Sequence, residues 1–299
     1  MKTFTGRVAA VTGAGSGIGR ALARELALRG AHLALSDVDE RGLADTVMLC
    51  EGAGPGRVTS HRVDVAERDA VYAWAEQVVD DHGRANLIVN NAGVALAASI
   101  ESMSYEDFEW LMGINFWGVV HGTKAFLPHL KAAGEGHVVN VSSVFGLISV
   151  PWQAAYNSAK FAVRGFTDAL RMELEMEGSP VSCTTVHPGG VKTNIAMSAR
   201  IDPAVVAAYG QAEAARSSFE QVARTSPDAA ARQILAGVVR GRRRVLVGHD
   251  ATVIDLISRL PAALTQRAVL AAANRLSAHA PNEGHARQAG ATRARGIGH

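Results

Sequence analysis

Tyr156 and Lys160 stand four residues apart in Tyr156-Asn157-Ser158-Ala159-Lys160, a spacing that puts both on one face of a helix. An ammonium beside a phenol favours the phenolate and lowers a pKa that is about 10 in a free side chain. A tyrosine tuned in this way can act as general acid or base near neutral pH. A Tyr/Lys pair on a solvated helix face is common and by itself does nothing chemical. Ser143 adds a second group. It lies 13 residues before Tyr156, where Asn140-Val141-Ser142-Ser143 leaves an apolar run, and open α/β sheets bind ligands at the carboxyl ends of their strands. Ser142 is the competing hydroxyl.

A second constellation opens the chain. Thr12-Gly13-Ala14-Gly15-Ser16-Gly17-Ile18-Gly19 follows an apolar run and precedes a helical pattern. Glycines there let the backbone turn sharply and approach a pyrophosphate, whose charge is held by amides at the helix start. The glycines at 13, 17 and 19 depart from the Gly-x-Gly-x-x-Gly fingerprint, so the placement between strand and helix carries more weight than the spacing. Asp37 follows Gly19 by 18 residues. A carboxylate there accepts both hydroxyls of an adenosine ribose and repels a 2′-phosphate, although Asp37 and Asp39 also suit an ordinary helix cap. Val38 and Asp39 come next, with no arginine for a 2′-phosphate. NAD is expected, NADP less so.

These groups need a frame that brings strand ends together. Strand-like runs at Arg7–Thr12, His32–Asp37, Arg57–Val63, Asn86–Asn90, His137–Ser142, Val181–His187 and Arg243–Val247 alternate with helical patterns. The helices are expected at Ile18–Arg29, Asp39–Cys50, Glu67–Asp81, Ser102–Leu130, Gln153–Glu177 and Pro227–Val239. That alternation predicts an α/β fold: a single doubly wound Rossmann-type domain, a seven-stranded parallel sheet with helices on both faces. The domain is expected over 1–249, with Lys192–Gln221 as a lid. Asp250–Ser277 reads as a helical extension broken at Pro261, and 279–299 as a disordered tail.

Composition narrows the function. Net charge is +2 and 48% of residues are hydrophobic, so no nucleic-acid partner is expected. Gly241–His299 holds nine arginines and three acidic residues, which reads as a solvated basic tail. Cys50 and Cys183 match no metal spacing and suit a reducing cytoplasm. No metal site, signal peptide or apolar run of membrane-spanning length is expected. His121 and His187 are expected to pack or cap, while Trp152, between Ser143 and Tyr156, could line a substrate path.

With Asn90-Asn91-Ala92-Gly93, Asn115 and Pro188-Gly189-Gly190-Val191-x-Thr193, the motifs above keep one order and spacing over residues 5 to about 250. In that, the chain resembles the short-chain dehydrogenase/reductase family. The resemblance implies hydride transfer between a nicotinamide and an alcohol or ketone, with Tyr156 exchanging the proton and Ser143, chosen over Ser142 by spacing, orienting the substrate oxygen. It implies that Lys160 tunes the tyrosine and grips the nicotinamide ribose, and that Asn115 holds a water beside Lys160. Cofactor contacts are implied for Gly13, Gly15, Ser16, Gly17, Ile18 and Gly19, for Asp37, and for Asp64 and Val65 at the adenine. Asn91 and Gly93 would border the adenosine ribose, and Val191 and Thr193 would hold the carboxamide. Such members usually end soon after the seventh strand, whereas this chain runs on for about 50 residues.

A dinucleotide-binding regulator without catalysis would lack Tyr156 or Lys160. The open alternative is a membrane-associated steroid- or lipid-type dehydrogenase, since Ala251–Leu276 mixes aliphatic residues with three arginines in an amphipathic pattern. Ile195, Ala196, Met197, Ile201, Val205, Val206 and Tyr209 make the lid apolar, which favours a lipophilic or small neutral substrate. Leu111, Ile114, Val119, Phe126, Phe161, Val163, Phe166 and Leu170 give the 102–130 and 153–177 helices more apolar surface than one sheet face needs. Self-association through those helices is expected, as a dimer more than a tetramer.

Overall fold

Val8-Ala9-Ala10-Val11-Thr12 is buried along its whole length, as a strand covered on both faces must be. In the computed structural model, which describes residues 1–195, 197–203, 205–206 and 223–278, this strand (β1, Val8–Thr12) is an interior strand of the sheet. The other main strands are β2 (His32–Asp37), β3 (Val58–Arg62), β4 (Leu87–Asn90), β6 (Gly136–Val141), β7 (Val181–Pro188) and β9 (Arg244–Val247). They form one seven-stranded sheet in the order β3-β2-β1-β4-β6-β7-β9, and every pairing is parallel. β1 pairs with β2 on one side and β4 on the other. The winding reverses there, and the carboxyl ends of β1 and β4 open the crevice in which such sheets bind ligands.

Side-chain alternation divides the core between the two faces. Ala9, Val11, Leu87 and Val89 pack with Leu22 and Leu26 of α1 (Gly17–Leu28) and with Ile234 and Leu235 of α7 (Pro227–Val239). Val8, Ala10 and Ile88 face the other way, toward Trp74 of α3 (Arg68–His82), Phe126 of α5 (Gly118–Ala132) and Leu170 of α6 (Ala154–Met176). Asp39 caps α2 (Glu40–Glu51) through a 3.1 Å bond from the Gly42 amide. Ser226 caps α7, where Pro227 occupies a position that needs no donor.

The helix expected over Ser102–Leu130 is interrupted. Ser104 caps α4 (Tyr105–Met112), a π turn spans Gly113–Trp117, and α5 follows. The inserted turn carries Asn115 and rotates the faces on either side, a break that hydrophobic periodicity does not reveal. A second departure is a two-stranded parallel pairing of β5 (Leu96–Ala97) with β8 (Arg200–Ile201). Two residues are too few to show a period.

Beyond β9 the expected break at Pro261 separates α8 (His249–Ile257) from α9 (Ala262–Ala278). Ala251 and Asp255 anchor α8, and Asp255 pairs with Arg244 at 3.7 Å and Arg259 at 2.6 Å. The expected tail at 279–299 and most of the expected lid lie outside the described residues. No helix among the described residues is long and apolar enough to cross a membrane.

Candidate active site

Tyr156 lies in the first turn of α6 and Lys160 one turn later, beside the end of β6. Ser142 donates its hydroxyl to the Lys160 carbonyl at 2.8 Å. Gly146 makes room for that bond, since a Cβ there would lie 2.4 Å from the Ser142 hydroxyl. Ser142 is therefore committed to holding α6 against β6. Ser143 accepts a 3.1 Å bond from the Phe145 amide and hydrogen-bonds Tyr156. Beneath it His187 Nδ1 meets the Ser143 carbonyl at 2.8 Å. A carbonyl only accepts, so Nδ1 carries the proton. Burial holds His187 down at about 4, and the ring backs Ser143 as a neutral donor.

The expected lowering of the tyrosine pKa is not what this arrangement gives. Lys160 donates to the Val141 carbonyl at 3.0 Å, and its Nζ lies 5.6 Å from the centre of the Tyr156 ring. Burial pushes the phenol up to about 12, the Ser143 bond pulling back only in part, and pushes the ammonium down to about 8. The lysine is spent on a carbonyl and the ring face, so the loss of water outweighs the charge. Asn115 is fully buried, with its side chain bound to the Val94 amide (2.8 Å) and carbonyl (2.9 Å). A Cβ on Gly93 would meet Asn115 Oδ1 at 3.2 Å and Lys160 Nζ at 3.6 Å, so these three converge.

The loop from Ser143 to Tyr156 holds Trp152 at φ +65°, the left-handed region. A bulky residue there stores roughly 1–3 kcal/mol. The Trp152 carbonyl accepts from the Ala98 amide at 2.8 Å, which ties the loop to the chain after β5. At β8, Arg200 stacks 3.6 Å from the centre of the Trp110 ring and pairs with Asp107 at 2.7 Å.

At the other end of the crevice the glycine turn is packed closely. Gly13 has φ +64°, and a Cβ there would lie 2.7 Å from Ala92 Cα; on Gly19 it would lie 2.0 Å from the Gly13 carbonyl. Gly17, at φ +54°, faces Thr193, whose Cγ2 would be 3.1 Å from an added Cβ. The turn is also locked by side chains. Asn91 Nδ2 donates to the Thr12 and Gly13 carbonyls at 3.0 and 3.1 Å. Arg20 donates to the Gly15 carbonyl, to the Gly42 carbonyl at 3.1 Å and to Thr46 at 3.0 Å. Asp37 accepts from the Gly15 amide. Arg20 and Thr46 carry no sequence signal of this role, and Thr12 offers only its place at the strand end.

Whether this end fits a dinucleotide turns on α1. Its N-cap, Ser16, makes no side-chain cap, whereas Asp39, Ser104 and Ser226 each cap their own helices. The amides of the first turn of α1, at the positive end of its dipole, suit an anion. Ser16 is exposed beside them, while Ile18 turns back into the core. Asp64 accepts from the Ala66 amide at 2.9 Å, and Val65 packs on Gly118 with its carbonyl 3.2 Å from His121 Nδ1. Val191 is buried and bridges to Thr225. The residues present therefore fit a dinucleotide laid across the ends of β1, β2 and β4.

Comparison with known proteins agrees with this geometry. The family model described as short chain dehydrogenase matches residues 7–204. A Mycobacterium tuberculosis protein named as an oxidoreductase, SadH, is 49% identical over 273 residues, which is 91% of this chain and 96% of that protein. A short-chain dehydrogenase/reductase from Burkholderia phymatum, solved in complex with NAD, superposes with a TM-score of 0.79 at 31% identity, covering 86% of this chain and 94% of that one. A metagenomic short-chain oxidoreductase in complex with NADP has a TM-score of 0.59 at 34% identity, covering 62% and 83%. The chain belongs to the short-chain dehydrogenase/reductase family and is an oxidoreductase.

Proposed function

We propose that the chain is an NAD-dependent dehydrogenase that moves a hydride between the nicotinamide and a secondary alcohol or ketone, with Tyr156 as general acid/base. The observation that carries this reading is the convergence of Ser143, Tyr156 and Lys160 at the end of β6, in the same crevice as the uncapped start of α1. When bound, the coenzyme supplies the hydride site and, oxidised, a positive charge. Ser143 orients the substrate oxygen and Tyr156 passes the proton at its phenol oxygen. Lys160, backed by Asn115 and the water it holds, grips the nicotinamide ribose. Gly13, Gly15, Ser16, Gly17, Ile18 and Gly19 cradle the pyrophosphate, Asp37 takes the adenosine ribose with Asn91 and Gly93 nearby, and Asp64 and Val65 meet the adenine. Val191 and Thr193 hold the carboxamide.

The NAD complex of the Burkholderia relative supports the coenzyme class, and Asp37 favours NAD over the NADP held by the metagenomic relative. Substrates are lipophilic or small and neutral, passing Trp152 and the apolar residues after Thr193. Buried free Cys50 and Cys183 suit a reducing cytoplasm. The test is a panel of alcohols and ketones followed by NADH absorbance. Turnover of secondary alcohols supports the reading, and no coenzyme-dependent turnover or coenzyme binding with any of them overturns it.

A further inference from the structure

Val191 and Thr193 lie on the loop that leaves β7, and the hydrogen bonds that hold this loop are nearly all main chain. The Gly189 amide donates to the Val247 carbonyl at 2.9 Å, the Arg224 and Thr225 amides donate to the Gly190 carbonyl at 3.1 Å, and the Lys192 amide donates to the Thr225 carbonyl at 2.9 Å. Among the described residues the exception is the Gly190 amide, which donates to Asp250 Oδ2 at 2.6 Å. Two glycines keep space for that carboxylate. A Cβ on Gly189 would lie 2.1 Å from Asp250 Oδ2, and one on Gly248, at φ +94°, would lie 2.5 Å from Asp250 Oδ1.

Asp250 stands in the first turn of α8, where the helix dipole favours its charge, and a charged acceptor makes the stronger bond to an amide. α8 is itself fixed, through buried Ala251 and the Asp255 pairs with Arg244 and Arg259. The loop is thus clamped between the 224–225 segment and α8. Its position sets the gap between Thr193 and Gly17, across which the two ends of the crevice face each other. Asp250 lies beyond residue 204, where the family match ends.

We propose that Asp250 is a positioning residue for the nicotinamide end of the coenzyme site, so that the first helix after β9 takes part in coenzyme binding. This rests on the dinucleotide reading above. The carboxylate fixes the Gly190 amide, and through it the direction in which Val191 and Thr193 present their backbone and hydroxyl.

The test measures the dissociation constants of NADH and of ADP-ribose, which lacks the nicotinamide, for the full chain and for Asp250→Ala and Asp250→Asn. Amide exchange of residues 188–193 is followed without ligand. Asp250→Ala should weaken NADH about tenfold, the order of one charged hydrogen bond, while ADP-ribose changes less than about twofold. Asp250→Asn, which keeps an oxygen acceptor, should fall between, and exchange at 188–193 should quicken in the order Asp, Asn, Ala. Equal weakening of both ligands, or no weakening of NADH with unchanged exchange, overturns the proposal. A parent chain that binds neither ligand overturns the dinucleotide reading, and the proposal with it.

Discussion

The Gly15 amide donates to Asp37 Oδ2 at 2.7 Å, while the Asp39 amide donates to Oδ1 at 3.0 Å. The end of β2 is thereby a built part of the glycine turn, and its carboxylate is held where the proposed coenzyme would place its adenosine ribose. An unpaired 2′-phosphate brought against it should cost at least about 1.4 kcal/mol. NAD(H) should therefore be used at least about tenfold more efficiently than NADP(H). Equal kcat/KM for the two would contradict this. Asp37→Ser with Val38→Arg should shift preference toward NADP(H), and Asp37→Ser alone should weaken both coenzymes by freeing the Gly15 amide.

Tyr156 should titrate above an ordinary tyrosine in the ligand-free protein. Burial favours the neutral phenol and Lys160 is engaged elsewhere, so the ionisation lies near the upward-shifted value of about 12. The difference between the phenolate absorbance of the parent and of Tyr156→Phe isolates it. An ionisation below the usual tyrosine value would mean that the Lys160 charge wins before coenzyme binds. In turnover, Tyr156→Phe should lower kcat by about a hundredfold or more with NADH affinity nearly unchanged, whereas Lys160→Ala should damage both. A Tyr156→Phe enzyme that keeps a tenth of its rate would remove the proton role from this residue.

Two fully buried histidines should make the fold acid-sensitive. Burial holds His137 down at about 3 and His187 at about 4. Both pKa values are lower in the folded chain than the ordinary value near 6.5, so protonation favours unfolding. Their contribution is complete above that value and is lost as pH falls toward the folded values, at up to about 1.4 kcal/mol per pH unit for each. Urea midpoints measured between about pH 7 and pH 5 should fall accordingly. His137 meets Thr184 at 2.8 Å through its side chain, and His137→Gln can keep that bond without titrating. The slope should be shallower in this variant; an unchanged slope would place the acid sensitivity elsewhere.

How much of this was legible in sequence depends on how local the cause is. β1, β4 and β6 are covered on both faces, so each reads as an apolar run between helices, and the sheet follows. The order of the motifs likewise points to Ser143, Tyr156 and Lys160. The direction in which Lys160 Nζ points is another matter, because its partner is a carbonyl 19 residues away, and spacing on one helix says nothing of it. Asp250 is harder still. It binds an amide 60 residues distant, and a main-chain partner leaves no residue type to recognise. The π turn at Asn115 hid for a different reason, since an inserted residue preserves helical composition on both sides.

Assembly depends on which apolar residues the helices leave uncovered. Of the apolar residues expected over more than one face of these helices, Leu111, Val119, Phe126, Val163 and Leu170 are buried in this chain's own core. What remains exposed includes two aromatic side chains, Trp117 at 51% and Phe161 at 39%; Phe116 lies 5.6 Å from Trp117 and meets Phe166 edge to face at 6.4 Å. Trp117 stands on the π turn and Phe161 on α6, two elements whose symmetric pairing with a second copy would close. The full chain should therefore sediment as an oligomer of 31.4 kDa subunits, and as a dimer if α8 and α9 occupy the edge beyond β9 that a second contact would need. Large apolar side chains on α9, Leu264 and Leu270, are about half exposed, so charge introduced there should leave the dimer intact. Trp117→Glu with Phe161→Glu should give monomers that keep their secondary structure by circular dichroism. A parent monomer would overturn the expected self-association, and a double variant that still associates would move the contact away from Trp117 and Phe161. A parent tetramer would leave the contact through Trp117 and Phe161 in place and show that the β9 edge remains available.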